Sequence, residues 1–276
     1  MKILSTEPIY DSSRKRSAAI EELQEILRYR NLVLQFIRRD ILTRYKRSVL
    51  GIAWTMLTPL GTMLILTIVF SNAFKISMPG YAAYVLNGLI AWTFFSQTTH
   101  AATVHLVWGG SLLNRIYVPR TVFAVSAVGT GLINLTLSLI PLLIVTLITG
   151  LPVRWTALLI PIPMLFLAMF AMGIGLTLSA IAIYFADVTE MYQIILTAWL
   201  YLSPIIWTEE QLPPNVTIFV KLNPMYYLIN LFRIPIYEGR VPTLAEVAIP
   251  GVIAVITLVV GWIYFASRAD EFAYRV

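Results

Sequence analysis

Residues 38–70 read RRDILTRYKRSVLGIAWTMLTPLGTMLILTIVF. Five basic side chains, Arg38, Arg39, Arg44, Lys46 and Arg47, stand directly before a stretch that carries no further charge until Lys75. About 20 apolar residues suffice to cross the hydrocarbon core as a helix, and Lys and Arg flanking such a span stay on the cytoplasmic side during insertion. The junction therefore predicts a membrane protein whose N-terminus is cytoplasmic and whose first span starts near Leu50 and runs outward.

The composition agrees: 58% of the 276 residues are hydrophobic and 12% are charged, with a mean hydropathy of +0.78. A soluble domain does not have that balance. The net charge of +6 does not point to nucleic acid, because the basic residues sit beside membrane spans and read as topology signals and a lipid-facing collar. The absence of cysteine excludes disulfides and thiolate metal sites. Residues 1–50 lack an early apolar core followed by a cleavage site, so no removed signal peptide is expected.

Uncharged stretches predict six transmembrane helices, over about 52–74, 81–107, 121–150, 156–184, 190–208 and 245–266. Starting inside and alternating, residues 1–51, 108–120, 185–189 and 267–276 are cytoplasmic. Those pieces hold 15 of the 20 Lys and Arg; only Lys75, Arg154, Lys221, Arg233 and Arg240 lie outside them. The bias supports both termini in the cytoplasm. The resulting organisation is an all-α membrane protein: a cytoplasmic N-terminal piece 1–51, a six-span domain 52–266 and a tail 267–276.

Three features depart from plain spans. Within residues 20–45, Ile20, Leu23, Leu27, Leu34, Ile37, Ile41 and Tyr45 recur at helical spacing, which predicts an N-terminal amphipathic helix lying at the inner membrane surface. The cytoplasmic loop after the second span, GGSLLNRIYVPR over 109–120, has glycines that break the span, Ser111 as a cap and Pro119 as a stop. It predicts a short helix over 111–118 with an apolar edge of Leu112, Leu113 and Ile116, fit either to dock a partner or to rest on the membrane. The outer segment 209–236 is apolar yet interrupted by Pro213, Pro214, Lys221, Pro224, Arg233 and Pro235. Neither half can cross, so it predicts either an ordinary loop or two short re-entrant helices separated at Asn223 and Pro224.

The interiors of the six stretches contain no Asp, Glu, Lys or Arg, which argues against a proton-coupled transporter or a charge-selective channel. His100 and His105 are five residues apart, on different helix faces, and suit packing better than metal binding. No phosphate-binding loop and no nucleophile–base arrangement occurs, so the chain has no energy source and is not an enzyme. Uphill movement of a solute then requires a partner on the cytoplasmic surface.

The remaining chemical signal is 13 Phe, 14 Tyr and 7 Trp, many of them in the outer half and the outer segment. Trp92, Tyr192, Trp199, Phe219, Tyr226, Tyr227 and Phe232 are candidates for stacking on sugar rings, although an interfacial aromatic belt accounts for any single one of them. Small residues at a four-residue spacing, Ala171, Gly175 and Ser179 in the fourth stretch and Ala127 and Gly131 in the third, predict close helix contacts.

The opening RDILTRYKRSVLGIAWTMLTPL resembles the start of the membrane subunit of type 2 ABC exporters of polysaccharides, the group exporting O-antigen, capsule and teichoic acid. The likeness continues in LLNRIYVPR, in DVTEMYQIILTAWLYLSPIIW, in LNPMYYLINLFR and in the ending SRADEFAYRV. The resemblance implies a homodimer of this chain in the bacterial inner membrane, joined to two copies of a separate ATPase that holds the ATP and Mg, with no cofactor in this chain. It implies that Leu112, Leu113, Asn114, Arg115, Ile116 and Tyr117, with Asp187 of the short inner loop, contact that ATPase. Members often have Arg where this chain has Ala186, which weakens the assignment of Asp187. It further implies outer gate helices over 209–236 and a glycan carried on a polyprenyl diphosphate, whose charge Arg38, Arg39, Arg44, Lys46 and Arg47 suit as donors. Two other readings stay open on the residues: an exporter of a drug or simple lipid, and a passive channel or scaffold.

Overall fold

The computed structural model describes residues 18–73, 78–108 and 119–269. Residues 109–118, which hold the expected coupling helix, lie outside them, as do 1–17, 74–77 and 270–276.

Among the described residues all regular structure is helical. Two helices open it, α1 (Ala18–Arg28) and α2 (Arg30–Tyr45), separated at Tyr29, where ψ turns to 18°. The single amphipathic helix expected over 20–45 is therefore a bent pair. Among its described side chains Val33 and Phe36 are the ones buried in the bundle, Phe36 stacking on Phe123 at 5.3 Å between ring centres. The stripe of Ile20, Leu23, Leu27 and Leu34 instead points away from the bundle, each more than half exposed. Two bonds pin α1 down: Trp262 Nε1 donates to the Ala19 carbonyl at 3.0 Å, and Thr121 Oγ1 donates to Glu22 at 2.7 Å.

After α2 the chain reverses through Arg47, at φ +66°, and Gly51, at φ +49°. Then come α3 (Trp54–Ala73), α4 (Tyr81–Trp108), α5 (Thr121–Ile148), α6 (Pro161–Tyr184), α7 (Val188–Tyr201), α8 (Pro214–Lys221), α9 (Pro224–Arg233) and α10 (Leu244–Arg268). Four helical segments, Gly51–Ser71, Thr121–Ile148, Trp155–Tyr184 and Leu244–Arg268, are long and apolar enough to cross a membrane. Helix α4 matches α5 in length at 28 residues, but Asn87, Gln97, Thr98, Thr99, His100, Thr103 and His105 make it more polar. The fifth expected span, 190–208, is helical only as far as Tyr201. Its 14 residues reach about 21 Å at 1.5 Å per residue. Pro204, three residues on, fits the stop, since its ring cannot donate to the ladder and disfavours helical geometry at the residue before it.

Helix α4 is the centre, touching α3, α5, α6, α7 and α9, with Val85, Leu86, Ala91 and Phe95 fully buried. The small-residue spacings mark close approaches: Gly131 of α5 abuts Thr98 and Phe94, and Gly175 of α6 abuts Ala102. The tightest contact, α6 against α10, is made by Gly173 and Gly261, where a Cβ would strike the facing backbone. In α3, Pro59 has no N–H to offer the Thr55 carbonyl, and Ser138 Oγ of α5 donates to that oxygen instead, at 3.3 Å.

A second apolar cluster joins Val33 and Phe36 to Leu106, Val122, Ala180 and Phe265. It gathers α2, the end of α4, the start of α5 and the ends of α6 and α10 at one pole of the bundle. The opposite pole is tied by Tyr81 to the Ile206 carbonyl (2.7 Å), Tyr84 to Trp207 (3.0 Å), Tyr237 to Pro79 (3.0 Å) and Thr156 to Pro235 (2.8 Å).

Candidate functional site

At the second pole the outer segment folds as two short helices with the break at Asn223 and Pro224. Asn223 caps α9, its Oδ1 accepting from Met225 N at 2.9 Å. The same oxygen accepts from Trp199 Nε1 at 2.7 Å, while Nδ2 donates to the Leu202 carbonyl at 3.1 Å and to Ser203 Oγ at 3.0 Å. One side chain thus locks the turn after α7 to the start of α9. The pair is closed on its other side by Glu209, which holds Lys221 Nζ at 2.6 Å and accepts from the Tyr226 hydroxyl. Lys221 foremost, with Tyr226, keeps the Glu209 carboxyl below its ordinary pKa.

Arg233 ends α9 and is only 2% exposed. Its guanidinium lies over the Tyr84 ring at 3.6 Å, donates to the Ile205 carbonyl at 3.3 Å and reaches Asn230 Oδ1 at 3.4 Å. Tyr237 meets the same Tyr84 ring edge-on at 5.5 Å. A π-helical turn, Ile234–Glu238, follows and stops at Gly239, whose φ of +65° suits glycine.

The aromatic candidates do not converge on one surface of the chain. Trp92 and Phe232 are buried in the core, Trp92 packing edge-on against Trp199 at 6.1 Å. Tyr192 is buried too, sharing a hydrogen bond with Thr99 at 2.7 Å. Tyr226 and Tyr227 are part-buried and meet edge-on at 5.0 Å. Phe219, 74% exposed, is the candidate that projects freely.

The five basic residues divide around α2. Arg38, Arg39 and Lys46 line an open groove of about 850 Å³. Arg44 lines a separate cavity of about 500 Å³ between α2, α3, α4 and α5, and Arg47 lines neither. Arg39 is partly committed, paired with Asp40 at 3.0 Å and lying 4.8 Å from the Phe36 ring centre. Asp187 is exposed in the turn between α6 and α7 and makes no side-chain capping bond. The histidines are apart: His100 meets Gln193 at 3.1 Å and His105 lies 3.8 Å from Asp40. Among the described residues no cluster of His, Asp and Glu could hold a metal ion.

Residues 31–237 match the ABC-2 type transporter family. The chain belongs to that family. The matched stretch starts in α2 and ends in the π-helical turn, so it takes in the basic helix and the whole outer helix pair. The chain is similar along 93% of its length to the O-antigen export system permease protein RfbA of Myxococcus xanthus, at 27% identity over that protein's full length. The protein of the same name from Klebsiella pneumoniae is 23% identical over 88% of this chain and 94% of its own. The polysialic acid transport protein KpsM of Escherichia coli is 23% identical over 84% of this chain and 91% of its own.

Three features of this ABC-2 chain escape a reading of the sequence. Asn223 reads as a break, and its bonds back to the end of α7 need coordinates. Arg233 counts only as a charge on the outer side, although an arginine in an apolar segment signals a buried partner. The third is the polar lining of the α4–α5 cavity: its hydroxyl and amide residues are visible along the two helices, but that they line one space needs coordinates.

Proposed function

We propose that this chain is the membrane half of an ATP-driven exporter that moves a polysaccharide out of the bacterial cytoplasm. The observation that carries this reading is the end-to-end correspondence with O-antigen export permeases, inside a matched ABC-2 family. In the reading, α4 and α7 cross the membrane together with the four long apolar segments. The pole formed by α1 and α2 is cytoplasmic and α8 and α9 dip in from outside. Two copies of the chain face each other, and two ATP-binding subunits dock beneath.

Force would enter through Leu112, Leu113, Asn114, Arg115, Ile116 and Tyr117, helped by exposed Asp187, because the chain has no phosphate loop of its own. The cargo would be anchored by a polyprenyl diphosphate. The groove lined by Arg38, Arg39 and Lys46 would offer charge-assisted donors to such a headgroup. Depletion of the chain followed by mass spectrometry of membrane lipids tests the reading. Lipid-linked glycan should accumulate in the cytoplasmic leaflet; an unchanged glycan pool, with a drug or simple lipid retained instead, would replace polysaccharide as the cargo.

A further inference from the structure

The cavity between α2, α3, α4 and α5 has a polar lining inside an apolar bundle. On α4 it is lined by Thr93, Gln97 and Thr98, and on α5 by Thr130, Asn134 and Ser138. The α5 set recurs every four residues, and on α4 Gln97 follows Thr93 by four with Thr98 beside it, so each helix carries a polar stripe along the cavity. Threonines in apolar helices normally return their hydroxyl to the carbonyl one turn back. Thr99, Thr103 and Thr146 do so, at 2.7–2.9 Å. Thr98 and Thr130 do not. Their hydroxyls are buried, 3% and 8% exposed as residues, and have no partner. Asn134 Oδ1 on the same wall also lacks one. Three unpaired polar groups in the walls of one cavity inside an apolar bundle are costly, and a small side-chain rotation towards a bound ligand would satisfy them.

The lining also has a direction. Its ionisable members, Asp40, Arg44 and His105, stand at the α2 end, and the wall towards Ile90 has none. From His105 to Ile90 along α4 is about 22 Å at 1.5 Å per residue. Phe94 and Trp54 supply aromatic faces among the hydroxyls and amides. The volume of about 500 Å³ falls in the range of small-molecule sites, roughly 300–1,000 Å³. Hydroxyl and amide groups beside aromatic faces match a polyhydroxylated ring, and Arg44, standing where Asp40 is already paired with Arg39, matches a phosphate attached to it.

We infer that this cavity binds the sugar next to the phosphate of a lipid-linked glycan, with Thr98, Thr130 and Asn134 bonding its hydroxyls and Arg44 its phosphate. The inference rests on the export reading and deepens it. The cavity is a subsite for the reducing-end sugar, within one chain and separate from the outer helix pair.

The test uses the full-length chain in nanodiscs with two probes, a short polyprenyl diphosphate bearing one N-acetylhexosamine and the same polyprenyl diphosphate without sugar. Trp54 on the rim reports binding by fluorescence. Wild type should bind the sugar-bearing probe more tightly. Thr98→Val with Thr130→Val, near-isosteric changes that remove two hydroxyls, should weaken the sugar-bearing probe about tenfold and leave the bare probe unchanged. Arg44→Gln should weaken both probes. Thr136→Val, on the exposed side of α5, is the control for altered packing. Equal affinity of wild type and the double variant for the sugar-bearing probe, or an equal loss for both probes, would overturn the inference and leave a water-filled cavity. That result stays distinct from failure of the export reading, which shows as no glycan accumulating when the chain is depleted.

Discussion

The buried Arg233 gives the sharpest energetic prediction. Its guanidinium sits 3.6 Å from the Tyr84 ring centre and the Tyr84 hydroxyl donates to the Trp207 carbonyl at 3.0 Å. A desolvated cation–π contact contributes about 2 kcal/mol and a neutral hydrogen bond about 1 kcal/mol. Tyr84→Leu removes both and leaves a cation facing an apolar wall, so a loss of about 3–5 kcal/mol is expected. Tyr84→Phe keeps the ring and should cost only about 1 kcal/mol. Arg233→Met loses the cation–π contact but also abolishes the burial of a charge, and should lie within about 2 kcal/mol of wild type. Once Met replaces Arg233, Tyr84→Leu no longer strands a cation, so the pair should show a coupling energy of about 2 kcal/mol. The assay is a double-mutant cycle on reversible unfolding in mixed micelles titrated with dodecyl sulfate. Additivity within about 0.5 kcal/mol would refute the reasoning.

Three further outcomes follow. Glu209 is held below its ordinary carboxyl pKa, so its contribution is present above the unfolded value of 4.5 and is lost as pH falls through the lowered native value. Protease resistance of the outer helix pair should be flat from pH 7 to 5 and fall in stronger acid, and Glu209→Gln should remove that fall; an equal acid response in the variant would discount the contact. Replacing Tyr226 and Tyr227 together with Ala should cut export of long glycan more than it cuts protein level, whereas unchanged export would reduce these rings to packing. Leu113→Asp combined with Arg115→Glu should leave insertion intact but release the ATPase in pull-downs by burying unpaired charge; retention of both the ATPase and export would remove this loop from the contact.

What the sequence makes legible follows from what drives each feature. Apolar runs and their prolines locate the helices within a few residues, and Asn223–Pro224 marks the break between α8 and α9 because proline cannot continue a helix. The early end of α7 was legible in principle from Pro204, but the apolar residues after it masked the stop. Which side of a span faces protein was largely hidden. A helix apolar all round has no periodicity to separate a core face from a lipid face, so Trp92, Tyr192 and Phe232 read as outer aromatics although they are buried. Helix α2 poses a different difficulty: it is charged, and its apolar residues lie on more than one face, Val33 and Phe36 packing inward while Leu34 and Leu42 face out. Polar residues such as Thr93, Gln97, Thr130 and Asn134 stand out in apolar helices, but that they line one cavity follows only from the packing of α4 against α5.

The central claim is that this chain exports a glycan only with a separate ATPase. Reconstitution of the full-length chain in liposomes, with and without its ATP-binding partner, measures it directly. The readout is protection of a lipid-linked glycan from an enzyme that trims sugars on the outside of the vesicle. With chains oriented cytoplasmic side out, the account predicts that ATP drives the glycan into the lumen and into protection only when both proteins are present. Protection by this chain alone, independent of ATP, would make it a passive channel and contradict the account.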